Sequence, residues 1–186
     1  MKHKVAAIQL HPLPMNRADN YARAASHIRA TAQQGCSLAV LPEYCLTGWV
    51  PGDPRFGEVA EDRSYLIKFQ ELAKECNINI VPGTVVEKHI DEGKEMLYNV
   101  SYFIDNKGMI LGGYIKKNLW HPERKHLEAG VDNKHRVIET PLGKVGLLIC
   151  WDLACKFYSL LVDDCERQLT GWSSSRSVSR IGYSGR

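Results

Sequence analysis

The chain has 186 residues, a formal net charge of +3, 44% hydrophobic and 24% charged residues, the profile of an ordinary globular chain with room for one domain and a tail. This excludes collagenous, disordered and membrane-spanning classes, since no apolar run approaches the ~20 residues that cross a bilayer. The charge is small and its signs are interspersed, so neither a nucleic-acid nor a membrane partner is expected.

In chain order, residues 5–10 form a short apolar run that predicts a buried strand. The run follows a basic start but ends at His11-Pro12, too short for a secretory core, so a cytoplasmic protein is expected. Asn16 offers an N-cap, and Tyr21, Ala25, Ile28 and Ala32 recur at helical spacing until Gly35. A second apolar run, 37–41, ends at Pro42-Glu43. Strand, helix and strand with connections this short predict a parallel βαβ unit. After a Pro/Gly-rich loop, Tyr65, Leu66, Phe69, Leu72, Ala73 and Cys76 define one face of a helix. Residues 78–81 predict a further strand. Residues 97–104 and 109–115 flank Asp105-Asn106-Lys107-Gly108 as a hairpin, and 135–139 and 144–150 flank Pro141-Leu142-Gly143 as another. The result is a mixed α/β chain. Beyond Cys155 the pattern changes, and from Thr170 a Ser/Arg/Gly-rich stretch without periodicity predicts a disordered tail.

Three strand ends carry reactive groups. Cys150 closes the run Val145-Gly146-Leu147-Leu148-Ile149. A thiol is protonated at neutral pH and needs a base or a cation to become a nucleophile. Glu43 closes another apolar run and could serve as that base. Lys116 follows Gly113-Tyr114-Ile115 and could stabilise an oxyanion. Taken singly, each position reads more readily as a structural thiol, a solvated carboxylate or a surface lysine. Together they are a set suited to acyl transfer through a thioester. The six cysteines, Cys36, Cys45, Cys76, Cys150, Cys155 and Cys165, form no CxxC pair. Free thiols without a disulfide framework or a metal site are therefore expected, and a thiol-redox or metal-binding protein is the weakest reading.

Three segments together resemble the nitrilase superfamily of carbon–nitrogen hydrolases. Leu41-Pro42-Glu43-Tyr44-Cys45-Leu46-Thr47-Gly48-Trp49 is similar to the segment that carries the family's general-base Glu. Tyr114-Ile115-Lys116-Lys117-Asn118-Leu119 is like the lysine segment, with Ile115 for the usual Arg and Asn118 for the usual His. Gly146-Leu147-Leu148-Ile149-Cys150-Trp151-Asp152 resembles the nucleophile segment. The resemblance implies Glu43, Lys116 and Cys150 as catalytic residues. Glu123, in His121-Pro122-Glu123-Arg124, is implied as substrate-positioning, with Glu128 a weaker candidate beyond that match. It also implies an αββα sandwich, a small amide or nitrile substrate, a homo-oligomer, and no metal or organic cofactor. Trp151-Asp152 leans toward amidase chemistry.

The resemblance runs to Cys155 and stops abruptly. Residues 1–155 are therefore expected to be the N-terminal part of a carbon–nitrogen hydrolase domain whose C-terminal part is missing, and 156–186 a non-matching tail. A competing expectation is a catalytically inactive relative that binds a full-length partner through exposed sheet edges.

Overall fold

The computed structural model describes residues 2–131 and 136–154. The expected tail, 156–186, and His135 of the expected second hairpin lie outside them. The first half is a βαβαβ run: β1 (Val5–Ala7), α1 (Arg17–Gln33), β2 (Leu38–Val40), α2 (Arg55–Glu58), α3 (Ser64–Cys76) and β3 (Asn79–Val81). β1 pairs with β2, and β2 with β3, all parallel, with Val5 opposite Leu38 and Leu38 opposite Asn79. The predicted caps operate as read. The Asn16 side chain accepts from the Asp19 N–H at 3.3 Å, and α1 ends before Gly35, which takes φ +74°. The chain then turns antiparallel. β4 (Val85–Asp91), β5 (Lys94–Ile104) and β6 (Ile110–Ile115) complete a six-stranded sheet in the order β1-β2-β3-β5-β4, with β6 on the other side of β5.

The 105–108 hairpin is built as predicted. Asp105 Oδ1 accepts from the N–H groups of Lys107 (2.9 Å) and Met109 (2.8 Å), and Gly108 sits at φ +80°. β4 was not expected. Its register with β5 is set by a two-residue turn, Glu92-Gly93, in which both residues have positive φ (48° and 79°), the geometry whose twist suits a tight hairpin.

α1 and α3 cover one face of the sheet. Ala24, Ala25 and Ile28 of α1 meet Leu66, Phe69, Leu72 and Ala73 of α3 over Ala39, Ile80 and Ile104. On the opposite face a second, two-stranded sheet, β7 (Ile138–Thr140) with β8 (Gly143–Val145), lies over Leu38, Val81, Phe103 and Tyr114. Helix layer, large sheet and small sheet therefore follow one another, as in the first three layers of an αββα sandwich.

The strand expected over 144–150 is shorter than read. It ends at Val145, and 146–149 joins no ladder among the described residues. The segment keeps the alternation of a strand, with Leu147 and Ile149 buried in the core between the sheets. An apolar run fixes burial, and only a neighbour at hydrogen-bonding distance makes it a strand.

One close approach seats the first site segment. Gly83, at φ +70°, passes so near β2's exit that a Cβ there would lie 1.9 Å from the Pro42 carbonyl oxygen. The Thr84 hydroxyl accepts the Tyr44 N–H at 3.0 Å, and Cys45 Sγ donates to the Pro82 carbonyl at 3.1 Å. Gly83→Ala combines a left-handed φ with a backbone clash. It is expected to cost at least about 2 kcal/mol, read as a lowered denaturant midpoint at unchanged m. Wild-type stability in that variant would show that the loop can move away.

Candidate active site

Glu43 leaves β2 and Lys116 leaves β6. The hairpin register carries Lys116 alongside the middle of β5, where its N–H donates to the Asn99 carbonyl at 2.9 Å. Glu123 opens a 3-10 turn, Glu123–Lys125, just beyond. These three side chains meet. Lys116 Nζ donates to Glu43 Oε1 at 2.7 Å and to both oxygens of Glu123 at 2.9 and 2.7 Å. The ammonium and the Glu123 carboxylate are fully buried, at 1% and 2% side-chain exposure, and Glu43 keeps 22%. One cation thus serves two carboxylates. Burial works against the charge on Lys116, but Glu43 and Glu123 outweigh it and hold the lysine above its ordinary pKa.

Further donors complete the cluster. Glu123 also accepts the Trp120 N–H at 2.7 Å and a short bond from the Tyr44 hydroxyl. Asn99 Nδ2 donates to Glu43 Oε1 and to the Tyr44 oxygen, both at 2.8 Å. Two buried carboxylates near one ammonium need such donors, because an unsatisfied buried charge costs several kcal/mol. Burial and the adjacent carboxylates push the Tyr44 phenol far up, so it remains a donor.

Cys150 is held differently. The chain enters it extended from Ile149 and bends sharply, with Cys150 at φ +43°, into a 3-10 turn, Cys150–Leu153. A non-glycine residue in the left-handed region is strained, and such strain gathers where a side chain must be presented rather than packed. Cys150 is open to solvent on one side. On the other, desolvation and the Glu43 charge push its thiol up to about 11, against the opposing pull of Lys116. Cys150 at rest is a thiol under the influence of a carboxylate. Cys45, by contrast, is buried, raised to about 12, and tied to a backbone carbonyl.

All four expected site residues, Glu43, Lys116, Glu123 and Cys150, therefore converge. Glu128 does not join them. It is half exposed and pairs with Lys94 at 3.7 Å on the surface. Among the described residues no group of three or more His, Cys, Asp or Glu is placed to hold a metal, and no helix is long and apolar enough to cross a membrane. Reading the sequence missed the roles of Tyr44 and Asn99. Their signal was indirect, since Tyr44 adjoins Glu43 and Asn99 faces Lys116 only once the hairpin register is known.

Comparison with known proteins places the chain in a family. The family profile described as carbon-nitrogen hydrolase matches residues 4–159. The chain belongs to that family. Among relatives, an omega-amidase of Homo sapiens is 34% identical over 161 residues, covering 81% of this chain and 55% of its own length. A probable nitrilase of Schizosaccharomyces pombe is 29% identical over 185 residues, covering 95% and 66%. Among solved structures, Saccharomyces cerevisiae Nit3, described as a member of the nitrilase superfamily, superposes with a TM-score of 0.72 at 27% identity, covering 88% of this chain and 61% of that one. The chain spans roughly half to two thirds of the length of these family members.

Proposed function

We propose that the chain hydrolyses the carbon–nitrogen bond of a small primary amide through a thioester on Cys150. The observation that carries this reading is a single carboxylate, Glu43, which is hydrogen-bonded to the Lys116 ammonium and whose charge raises the Cys150 thiol. A thiol raised to about 11 requires a base at the moment of attack. Glu43 takes the thiol proton as Sγ bonds to the carbonyl carbon. Lys116 stabilises the oxyanion of the tetrahedral intermediate. The carbon–nitrogen bond breaks as Glu43 passes its proton to the departing nitrogen, and ammonia leaves. Water, deprotonated by Glu43, then attacks the thioester. The carboxylic acid is released and the thiolate recovers its proton. Glu123 fixes Lys116 at the far side of the pair and so holds the substrate carbonyl opposite Cys150.

The amide preference rests on Trp151-Asp152 after the nucleophile and is supported by the relatives named as amidases. The test is an acid-quenched incubation with a panel of small primary amides and nitriles, followed by peptide mass mapping. An acyl mass addition on the Cys150 peptide, with ammonia released in step, is the expected result. Ammonia release with no adduct on Cys150 under any quench would refute the thioester route.

A further inference from the structure

The acidic residue two positions after the nucleophile takes no part in the chemistry above, yet it is fully buried at 0% exposure. Asp152 Oδ2 accepts the Ile149 N–H at 3.0 Å and the Tyr114 hydroxyl at 2.9 Å. Its Oδ1 accepts the Asn118 N–H at 2.8 Å and Asn118 Nδ2 at 3.0 Å. No cation is among these four donors. Ile149 is the residue before Cys150, and Tyr114 and Asn118 stand two residues either side of Lys116. The carboxylate therefore ties the strained turn that presents the thiol to residues on both sides of the lysine, through the Tyr114 hydroxyl on one and the Asn118 backbone and side chain on the other. Among the described residues 146–149 joins no ladder, so strand pairing does not hold that turn.

We propose that Asp152 is a positioning residue, a carboxylate clamp that fixes the distance between the Cys150 turn and the Lys116 segment, with Asn118 as its side-chain donor. The proposal rests on the hydrolase reading for its purpose. Its physical content, that Asp152 keeps the thiol against Glu43, stands apart from turnover. Charge-assisted bonds from backbone N–H groups are stronger and shorter than neutral ones. They can hold a residue in the left-handed region that it would otherwise leave.

The variant that isolates the clamp is Asp152→Asn. An amide can offer its oxygen to only one pair of donors and turns its own N–H groups on the other. The Tyr114 hydroxyl can rotate to accept, but the N–H groups of Ile149 and Asn118 cannot. One side of the clamp is lost with almost no change in volume. Released from Glu43, the thiol should return from about 11 toward its ordinary value near 9. At pH 8 this raises the thiolate fraction by about 100-fold, offset about tenfold by the lower nucleophilicity of a less basic sulfur. Alkylation of Cys150 by iodoacetamide, followed by peptide mass mapping, should therefore run about tenfold faster than in wild type, while kcat on any amide that turns over falls and KM holds within about twofold.

Buried Cys45 is the internal control, since unfolding would expose it too. Asn118→Ala and Tyr114→Phe each remove one donor and should give smaller rises at Cys150, again with Cys45 silent. The proposal is overturned if Cys150 alkylation is unchanged in Asp152→Asn. It is equally overturned if Cys45 becomes reactive in step with Cys150 in all three variants, which would make Asp152 a general fold element. A wild-type chain that releases no ammonia would count against the hydrolase reading alone, because alkylation requires no turnover.

Discussion

Replacing Cys150 by alanine is expected to abolish amide hydrolysis, by at least about 10⁴-fold, while leaving the fold intact. The magnitude follows from the chemistry. Without sulfur there is no thioester, and Glu43 would have to drive water directly onto an unactivated amide from a geometry set for a thiol. The intact fold follows from placement. Cys150 is exposed and its sulfur supports no core packing, so the loss should stay within about 0.5 kcal/mol. Alanine also inherits the same positive φ, so the strain of the turn is neither added nor removed. Ammonia release and thermal melting measured on the same preparation check both halves. Turnover that survives in the alanine variant would show that another group attacks.

Lys116→Ala is expected to act in the opposite manner, damaging stability and activity together. The ammonium is the one cation bonded to Glu43 and Glu123 among the described residues, and it lies with Glu123 out of contact with solvent. Removing one member of a buried ion pair typically costs about 3–5 kcal/mol, because the remaining charge is left without compensation. Here two carboxylates would face each other across a cavity. A second substitution separates this cause from simple loss of packing. Glu123→Gln in the Lys116→Ala background removes one of the stranded charges. It should recover part of the stability, read from denaturant midpoints in a double-mutant cycle. Strict additivity of the two losses would mean that the charges are not coupled as the 2.7 Å contacts imply.

The parts of this molecule that were legible in the sequence were those governed by local periodicity and turn chemistry. α3 announces itself by apolar spacing, α1 by its cap and stop, and the 105–108 hairpin by an aspartate whose side chain organises the turn. β4 was hidden for two reasons. Its outer half, Glu87-Lys88-His89, is polar because it lies at a partly exposed edge, and its turn begins with a glutamate rather than the usual asparagine or glycine. Residues 146–149 failed in the other direction, since their apolar alternation is real but no strand lies beside them among the described residues. At the site, Glu43, Lys116 and Cys150 each end an apolar run, but the resemblance of their three segments to family motifs is what singled them out. Asn99, Tyr44 and Asp152 could not be assigned roles from spacing. Their side-chain contacts across the site cross 24 to 79 positions of sequence or depend on pairing register, and register is a property of the assembled sheet.

The sharing of one lysine between two carboxylates has a consequence for timing. In the resting site Lys116 is bonded on both sides, and its positive charge is already spoken for. In the proposed mechanism, Glu43 becomes a neutral acid when it accepts the thiol proton, and its claim on the ammonium weakens in the same instant that negative charge appears on the substrate oxygen. The lysine can exchange one anionic neighbour for another without moving away from Glu123. In that scheme the total charge of the side chains and a neutral substrate stays constant, so no counter-ion has to reach the buried Lys116–Glu123 pair.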